Sequence, residues 1–276
     1  MTVIERPQPA RHRAIFISDI HLGTRGCQAE LLLDFLKKNE CEQLYLVGDI
    51  VDGWRLKRWW YWPQAHNDVV QKILRKARKG TQVTYIPGNH DEAARQYCQL
   101  TFGDVRVEEE TIHVTPDGRR LLVIHGDQFD GIVRYARWLA ILGDWAYNAV
   151  LRLNTLFNWA RRQLGLPYWS LSAYLKHRVK NAVQFISNYE RAVATEARRR
   201  GVDGVVCGHI HHAEIRTIEG VLYCNDGDWV ESCTALVEDF QGRMRIVRWA
   251  EERSGQLSLL PRYVPVPRAP VPVAAE

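Results

Sequence analysis

Short apolar runs, polar loops and helical segments repeat along this chain from Ala14 onward. Ala14–Ser18, Gln43–Val47 and Gln82–Ile86 have the length and apolar character of strands. Between them, Glu30–Lys38 and Asn67–Lys79 carry apolar residues at helical spacing; the first places its lysines where they complement the helix dipole, and the second is stopped by Gly80. Strands alternating with helices predict an α/β sheet with functional loops at the strand ends. Farther on, Thr111–Thr115 and Arg120–Ile124 flank the turn Pro116-Asp117-Gly118-Arg119 and predict a hairpin. Residues 132–200 read as a mostly helical insertion, broken near Gly165-Leu166-Pro167 and too polar to span a membrane because Arg134, Arg137, Asp144 and Arg152 interrupt it. Strand texture returns at Gly204–Cys207, then at Glu214–Ile218, Val221–Cys224, Thr234–Glu238 and Arg243–Trp249, a second and antiparallel set. Residues 1–13 and the proline-rich 261–276 read as extended or disordered tails around a single domain spanning 14–250.

Five of these strands end in a block of metal-ligand types: Asp19/His21, Asp49/Asp52, Asn89/His90, His125 and His209/His211. Alternation on a strand puts residues i and i+2 on one side, so Asp19 and His21 converge if the first strand's geometry persists through them. An open α/β sheet gathers the loops beyond its carboxyl strand ends into one crevice, which turns five short motifs into one constellation. Nitrogen and oxygen donors without thiolate suit manganese, iron, zinc or cobalt better than a structural zinc site.

Composition adds boundaries. The chain has 276 residues, of which 46% are hydrophobic and 25% charged, the range of an ordinary globular protein. A net charge of +5 is compatible with a nucleic-acid groove, an anionic membrane surface or a phosphorylated substrate, and does not choose among them. Six cysteines lie scattered without a C-x-x-C spacing and read as core thiols in a reducing compartment. No signal-peptide core precedes the first strand and no run approaches the roughly 20 apolar residues of a membrane span. The expected location is the cytoplasm, with contact at a membrane surface left open.

Asp19-x-His21, Gly48-Asp49-x-x-Asp52, Gly88-Asn89-His90-Asp91, His125-Gly126 and Gly208-His209-x-His211, in this order, resemble the motifs of the calcineurin-like metallophosphoesterases. The resemblance implies a four-layer αββα sandwich with a helical insertion and a site for two divalent ions, with manganese the first choice and iron, zinc or cobalt the alternatives. It implies that Asp19, His21 and His211 hold one ion, that Asn89, His125 and His209 hold the other, and that Asp49 bridges them. Such a pair acidifies a water and holds phosphoryl oxygens for in-line attack. His90 would donate a proton or hydrogen bond to the phosphoryl or leaving group, with Asp52 orienting it. Asp91 and Asp127 read as acceptors that hold histidines in the right tautomer. The chain departs from the pattern at Gly53, where many members carry an arginine, so a phosphate contact made from there must come from another basic residue.

The whole-chain pattern, including Tyr168–Lys176 and Asn225-Asp226-Gly227-Asp228-Trp229-Val230-Glu231, is similar to the bacterial UDP-2,3-diacylglucosamine diphosphatase family. That resemblance implies hydrolysis of the diphosphate to UMP and 2,3-diacylglucosamine 1-phosphate, a step of lipid A synthesis at the cytoplasmic membrane face. The insertion and the stretch from Trp54 to Trp62, with four tryptophans in nine residues, would form an apolar cleft with cationic edges. Trp54, Arg55, Arg134, Arg137 and Lys176 are the candidate substrate contacts. The alternatives are a metallophosphoesterase acting on another phosphodiester, a phospholipid or a nucleic acid, and a non-catalytic binding module. The filled metal positions disfavour the binding module. The tryptophan- and leucine-rich insertion disfavours a nucleic acid. Oligomeric state has no signature in the chain.

Overall fold

A computed structural model of the protein describes residues 8–130 and 186–253. The chain divides into two compact units, one of residues 1–127 with 194–276 and one of residues 128–193. In chain order the strands of the larger unit are β1 (Ala10–Ile17), β2 (Asn39–Val47), β3 (Gln82–Ile86), β4 (Thr101–Phe102), β5 (Val105–Val107) and β6 (Thr111–Val114). They continue with β7 (Arg120–Val123), β8 (Gly204–Cys207), β9 (Glu214–Ile218), β10 (Val221–Asn225), β11 (Thr234–Glu238) and β12 (Met244–Arg248). These form a seven-stranded sheet in the order β12-β11-β1-β2-β3-β5-β4 and a five-stranded sheet in the order β6-β7-β8-β10-β9. Helices α1 (Ala29–Lys38) and α3 (Gln64–Arg78) connect the parallel strands β1, β2 and β3, with the short α2 (Gly53–Arg58) between them.

The period of two along the central strands sorts the core. Ile15, Ile17, Leu44 and Leu46 face the helices, where Leu32, Phe35, Leu36, Val69 and Ile73 cover them. Ala14, Phe16, Tyr45 and Val47 face the other way and meet Leu121, Val123, Val206, Leu222 and Cys224 of the second sheet. Burying each of the larger side chains contributes about 1.5–3 kcal/mol. The two sheets thus pack on one another, with helices on the outer face of the first.

Several expectations needed revision. The first strand starts at Ala10, inside the segment read as a tail, because Ala10 to His12 pair with Asn39 to Cys41 and His12 hydrogen-bonds Asn39 at 2.9 Å. The late strands are not one antiparallel set: β11 and β12 extend the first sheet, whereas β8 and β10 run parallel in the second. The short β4 and β5 carried too few residues to show a period. None of the six cysteines is in a disulfide, and Cys207, Cys224 and Cys233 are buried. Most of the predicted helical insertion, and the tail at 261–276, lie outside the described residues, as do Arg134, Arg137 and Lys176. Its described end is a helix at 186–199. Among the described residues no helix is long and apolar enough to cross a membrane.

Candidate active site

The carboxyl ends of β1, β2 and β3 lie together because these strands are parallel in one sheet, as do those of β7 and β8 in the other, and the two sets meet where Asp49 faces His125 and Gly208 abuts Asp19. Asp19 and His21 do not converge by strand alternation, since β1 ends at Ile17. They converge because both adopt left-handed backbone conformations, φ 48° and 52°. Asp49, His209 and His211 do the same at 53°, 71° and 54°. Left-handed φ is uncommon outside glycine, although Asp and His tolerate it better than most, and it concentrates at functional sites where the surroundings enforce it. Here the enforcement is visible in the ladder Asp19 N–H to Gly48 carbonyl (3.0 Å), His21 N–H to Asp49 carbonyl (2.9 Å) and Leu22 N–H to Ile50 carbonyl (2.9 Å). The glycine preceding a site residue also has a steric reason: a β-carbon on Gly48 would lie 2.2 Å from Nδ1 of His125, and one on Gly88 would lie 2.3 Å from Oδ1 of Asp49.

The side chains gather into overlapping groups able to hold a cation: Asp19, His21 and His211; Asp49, His125 and His209; and His21, Asp49 and His90. Nε2 of His211 is 3.0 Å and Nε2 of His21 is 3.8 Å from Oδ1 of Asp19. The two oxygens of Asp49 diverge, Oδ2 lying 3.9 Å from Nε2 of His21 and Oδ1 lying 3.5 Å from Nε2 of His125. Oδ1 of Asn89 is 3.3 Å from the same His125 nitrogen. Nδ1 of His125 sits 2.9 Å from the Val47 carbonyl, which can only accept, so Nδ1 carries a proton and Nε2 is the nitrogen that would face a ligand once the ring is neutral.

Burial alone would favour neutral rings, yet the carboxylates of Asp19 and Asp52 beside His21, and of Asp49 beside His125, push both imidazoles up to about 10. The same pairings hold Asp19 and Asp49 below the usual carboxylate range despite burial. Oδ1 of Asp19 and both ring nitrogens of His21 are buried and lack a hydrogen bond of acceptable geometry, close as their neighbours are. Leaving such groups unsatisfied costs about 1–3 kcal/mol each, whereas lone pairs that converge on a common point suit a cation. The donor set of carboxylate, amide oxygen and imidazole fits a divalent metal.

Asp52 does more than the sequence reading assigned to it. Its Oδ2 lies 3.1 Å from Nδ1 of His90 and 3.4 Å from Nδ1 of His21, and its Oδ1 accepts the Arg55 N–H at 2.8 Å as the N-cap of α2. Trp54 lies over His90 with ring centroids 4.3 Å apart. The Arg55 side chain is exposed on α2. Gly53 donates to the His90 carbonyl at 3.0 Å, and a β-carbon there would lie 2.9 Å from that oxygen, so position 53 clamps backbone instead of presenting a cation. Asp91 and Asp127 do not orient histidines. Asp91 accepts the N–H groups of Gly88 (2.6 Å) and Ile50 (2.7 Å) and ties two loops together, and Asp127 pairs with Arg95 at 2.6 Å.

Three contributors escaped the sequence reading. His66, buried on α3, accepts the Gly23 N–H at 3.0 Å and fixes the loop beyond Asp19 and His21. Ser18 Oγ lies 2.6 Å from both Oδ2 of Asp19 and Oδ1 of Asp226. Burial pushes the Asp226 carboxyl well above the usual range, and the Ser18 hydroxyl, with one proton to give, bridges the two acids. The run Asn225–Asp228, which begins on the last residue of β10, was the available signal, a sixth strand end rich in site-type residues.

Comparison with known proteins matches residues 12–213 to the family described as Calcineurin-like phosphoesterase. A UDP-2,3-diacylglucosamine hydrolase of Xanthomonas campestris pv. campestris is 27% identical over 249 residues, covering 83% of this chain and 96% of that protein. One of Neisseria meningitidis serogroup B is 24% identical over 234 residues, covering 78% and 89%. Among solved structures, Yfce, a phosphoesterase from E. coli, is 15% identical with a TM-score of 0.46, covering 86% of this chain and 93% of that one. The family match spans all five strand ends that build the site, and on that ground the chain belongs to the calcineurin-like phosphoesterase family as a metal-dependent phosphoester hydrolase.

Proposed function

We propose that this chain hydrolyses the diphosphate of UDP-2,3-diacylglucosamine to UMP and 2,3-diacylglucosamine 1-phosphate, a step of lipid A synthesis, from the cytoplasmic side of a membrane. The observation that carries this reading is the set of relatives named for that substrate, matched over 83% of this chain and 96% of their own length. In this reading Asp19, His21 and His211 hold one divalent ion, Asn89, His125 and His209 hold a second, and Asp49 serves both. Manganese is the first candidate among metals suited to nitrogen and oxygen donors. When bound, such ions stabilise charge on phosphoryl oxygens and lower the pKa of water. The protein's own part is positional: the left-handed turns aim the ligands, Asp52 fixes the rings of His21 and His90, and His90 faces the reaction with a donor.

The substrate assignment is tested by offering metal-loaded protein UDP-2,3-diacylglucosamine, UDP-glucosamine, a lysophospholipid and single-stranded DNA. The acylated nucleotide should be cleaved fastest. Equal rates with and without acyl chains would remove the lipid-precursor reading, and a preference for DNA that weakens steeply with salt would replace it with a nuclease.

The electrostatics also set a pH dependence. A metal requires neutral imidazole, so binding must displace the protons that His21 and His125 hold up to about pH 10. Apparent metal affinity should fall roughly tenfold per pH unit for each displaced proton as pH drops. Without metal the sign reverses: the raised imidazole pKa values stabilise the fold most fully below about pH 6.5, and that contribution fades as pH rises toward 10. The gain in melting temperature on adding manganese to chelator-treated protein should therefore be larger at pH 8 than at pH 6. A gain that shrinks with rising pH would contradict the ligand assignment.

A further inference from the structure

We propose that Trp59 and Trp60, together with the basic residues of α2, dock this chain on an anionic lipid surface. The tryptophan-rich stretch divides into three parts with different surroundings. Trp54 lies over His90. Trp62 packs against the helix-side core, and the rings of Tyr61 and Trp62 both meet the buried His66 edge-on, at 5.7 and 5.5 Å. Trp59 and Trp60 are 83% and 77% exposed, Trp60 stacking one face on the Trp62 ring with centroids 6.3 Å apart, although each carries one of the largest apolar surfaces available to a side chain.

Single exposed hydrophobics are ordinary, but two adjacent indoles presented from an anchored base are a concentrated apolar patch. Their surroundings specify the partner. Arg55, Lys57 and Arg58 are exposed on α2, and no acidic residue occurs from Gly53 to Asn67. The Arg25 guanidinium lies over the Tyr61 ring at 5.1 Å and adds a cation beside the same stretch. Indole is suited to the headgroup level of a bilayer, where its ring is half apolar and its N–H remains wet, and flanking cations favour anionic headgroups. Because Trp54 and the cations share α2 with the cap residue Asp52, docking by this face would set the catalytic loops beside the lipid surface. The docking does not depend on which phosphoester is cleaved.

The test is co-sedimentation of the full chain with vesicles of phosphatidylcholine alone or mixed with phosphatidylglycerol. Wild type should partition onto the phosphatidylglycerol vesicles, and less at high salt. Trp59→Ala with Trp60→Ala should lower that partition on the order of tenfold with an unchanged melting temperature, since neither ring is buried. Lys57→Gln with Arg58→Gln should lower it about fivefold per charge at low salt. Undiminished partition of the tryptophan variant, or no partition of wild type, would overturn the proposal. So would a lower melting temperature in the tryptophan variant, which would mean that the pair packs on protein.

Discussion

Replacing Asp49 with alanine should lower turnover of the phosphoester substrate by at least ~10³-fold and release the metal that the proposed assignment gives to Asn89, His125 and His209. The outer partners of metal ligands are already worth about 10–100-fold, and Asp49 stands closer than that. Its two oxygens face different imidazoles, His21 at 3.9 Å and His125 at 3.5 Å. Without it, Asn89, His125 and His209 offer only neutral donors, while Asp19 still supplies a carboxylate to His21 and His211. The loss should thus be unequal, with metal content measured after dialysis falling by about half. Asp49→Asn keeps the shape and one oxygen acceptor while removing the charge, and it should behave nearly as badly. Full activity in either variant would dissolve the shared-carboxylate reading. Equal loss of both metals would show that the groups form one cooperative unit.

Much of this site was legible because its parts follow apolar runs that can only be strands. Ile15, Ile17, Leu44 and Leu46 fill one face of the central strands, so the polar residues immediately beyond them had to lie at strand ends. What the chain did not disclose was how those ends turn. Nothing in Asp19 or His21 announces φ near 50°; that conformation is held where the N–H groups of Asp19, His21 and Leu22 donate to the carbonyls of Gly48, Asp49 and Ile50, residues some thirty positions away. The same distance problem explains the acids that were misread. Asp91 is adjacent to a histidine in sequence, yet its oxygens are taken by backbone N–H groups of two loops, and a carboxylate that satisfies several buried amides has no capacity left to orient a ring. Asp226 is remote in sequence and reaches Asp19 only through the hydroxyl of Ser18. Proximity along the chain is a weak guide to which acid supports which ligand, because sheet pairing decides that.

The tryptophans make a related point. The four indoles read as part of one apolar cleft with cationic edges; within their stretch α2, capped by Asp52, separates the indole at His90 from the exposed pair. A helix of six residues has too few turns to display a period, and so it was invisible in the pattern of hydrophobic positions.

His90→Ala should leave metal content unchanged and lower turnover by about 10²–10³-fold, the effect of removing one donor aimed at charge that develops in the transition state. His90 belongs to a cation-capable group with His21 and Asp49, but both of those already face other groups, so His90 adds no independent site. Its Nδ1 is 3.1 Å from Asp52 and its ring is covered by Trp54, which fixes the ring and directs its other nitrogen toward the Asp49 side, Nε2 to Oδ2 being 3.9 Å. Cleavage of a diphosphate expels a phosphate monoester, whose second pKa is about 6, so protonating the leaving group gains little. A donor to the phosphoryl oxygens gains more, and the penalty in His90→Ala should then be similar for a diphosphate and a nitrophenyl phosphodiester. A much larger penalty for an alkyl phosphodiester would identify His90 as the acid for a poor leaving group, and loss of metal would make it a ligand. Asp52→Asn separates these roles further. Because Asp52 faces both His21 and His90, it should weaken metal binding about 10–100-fold and turnover together, a combination that His90→Ala should not reproduce.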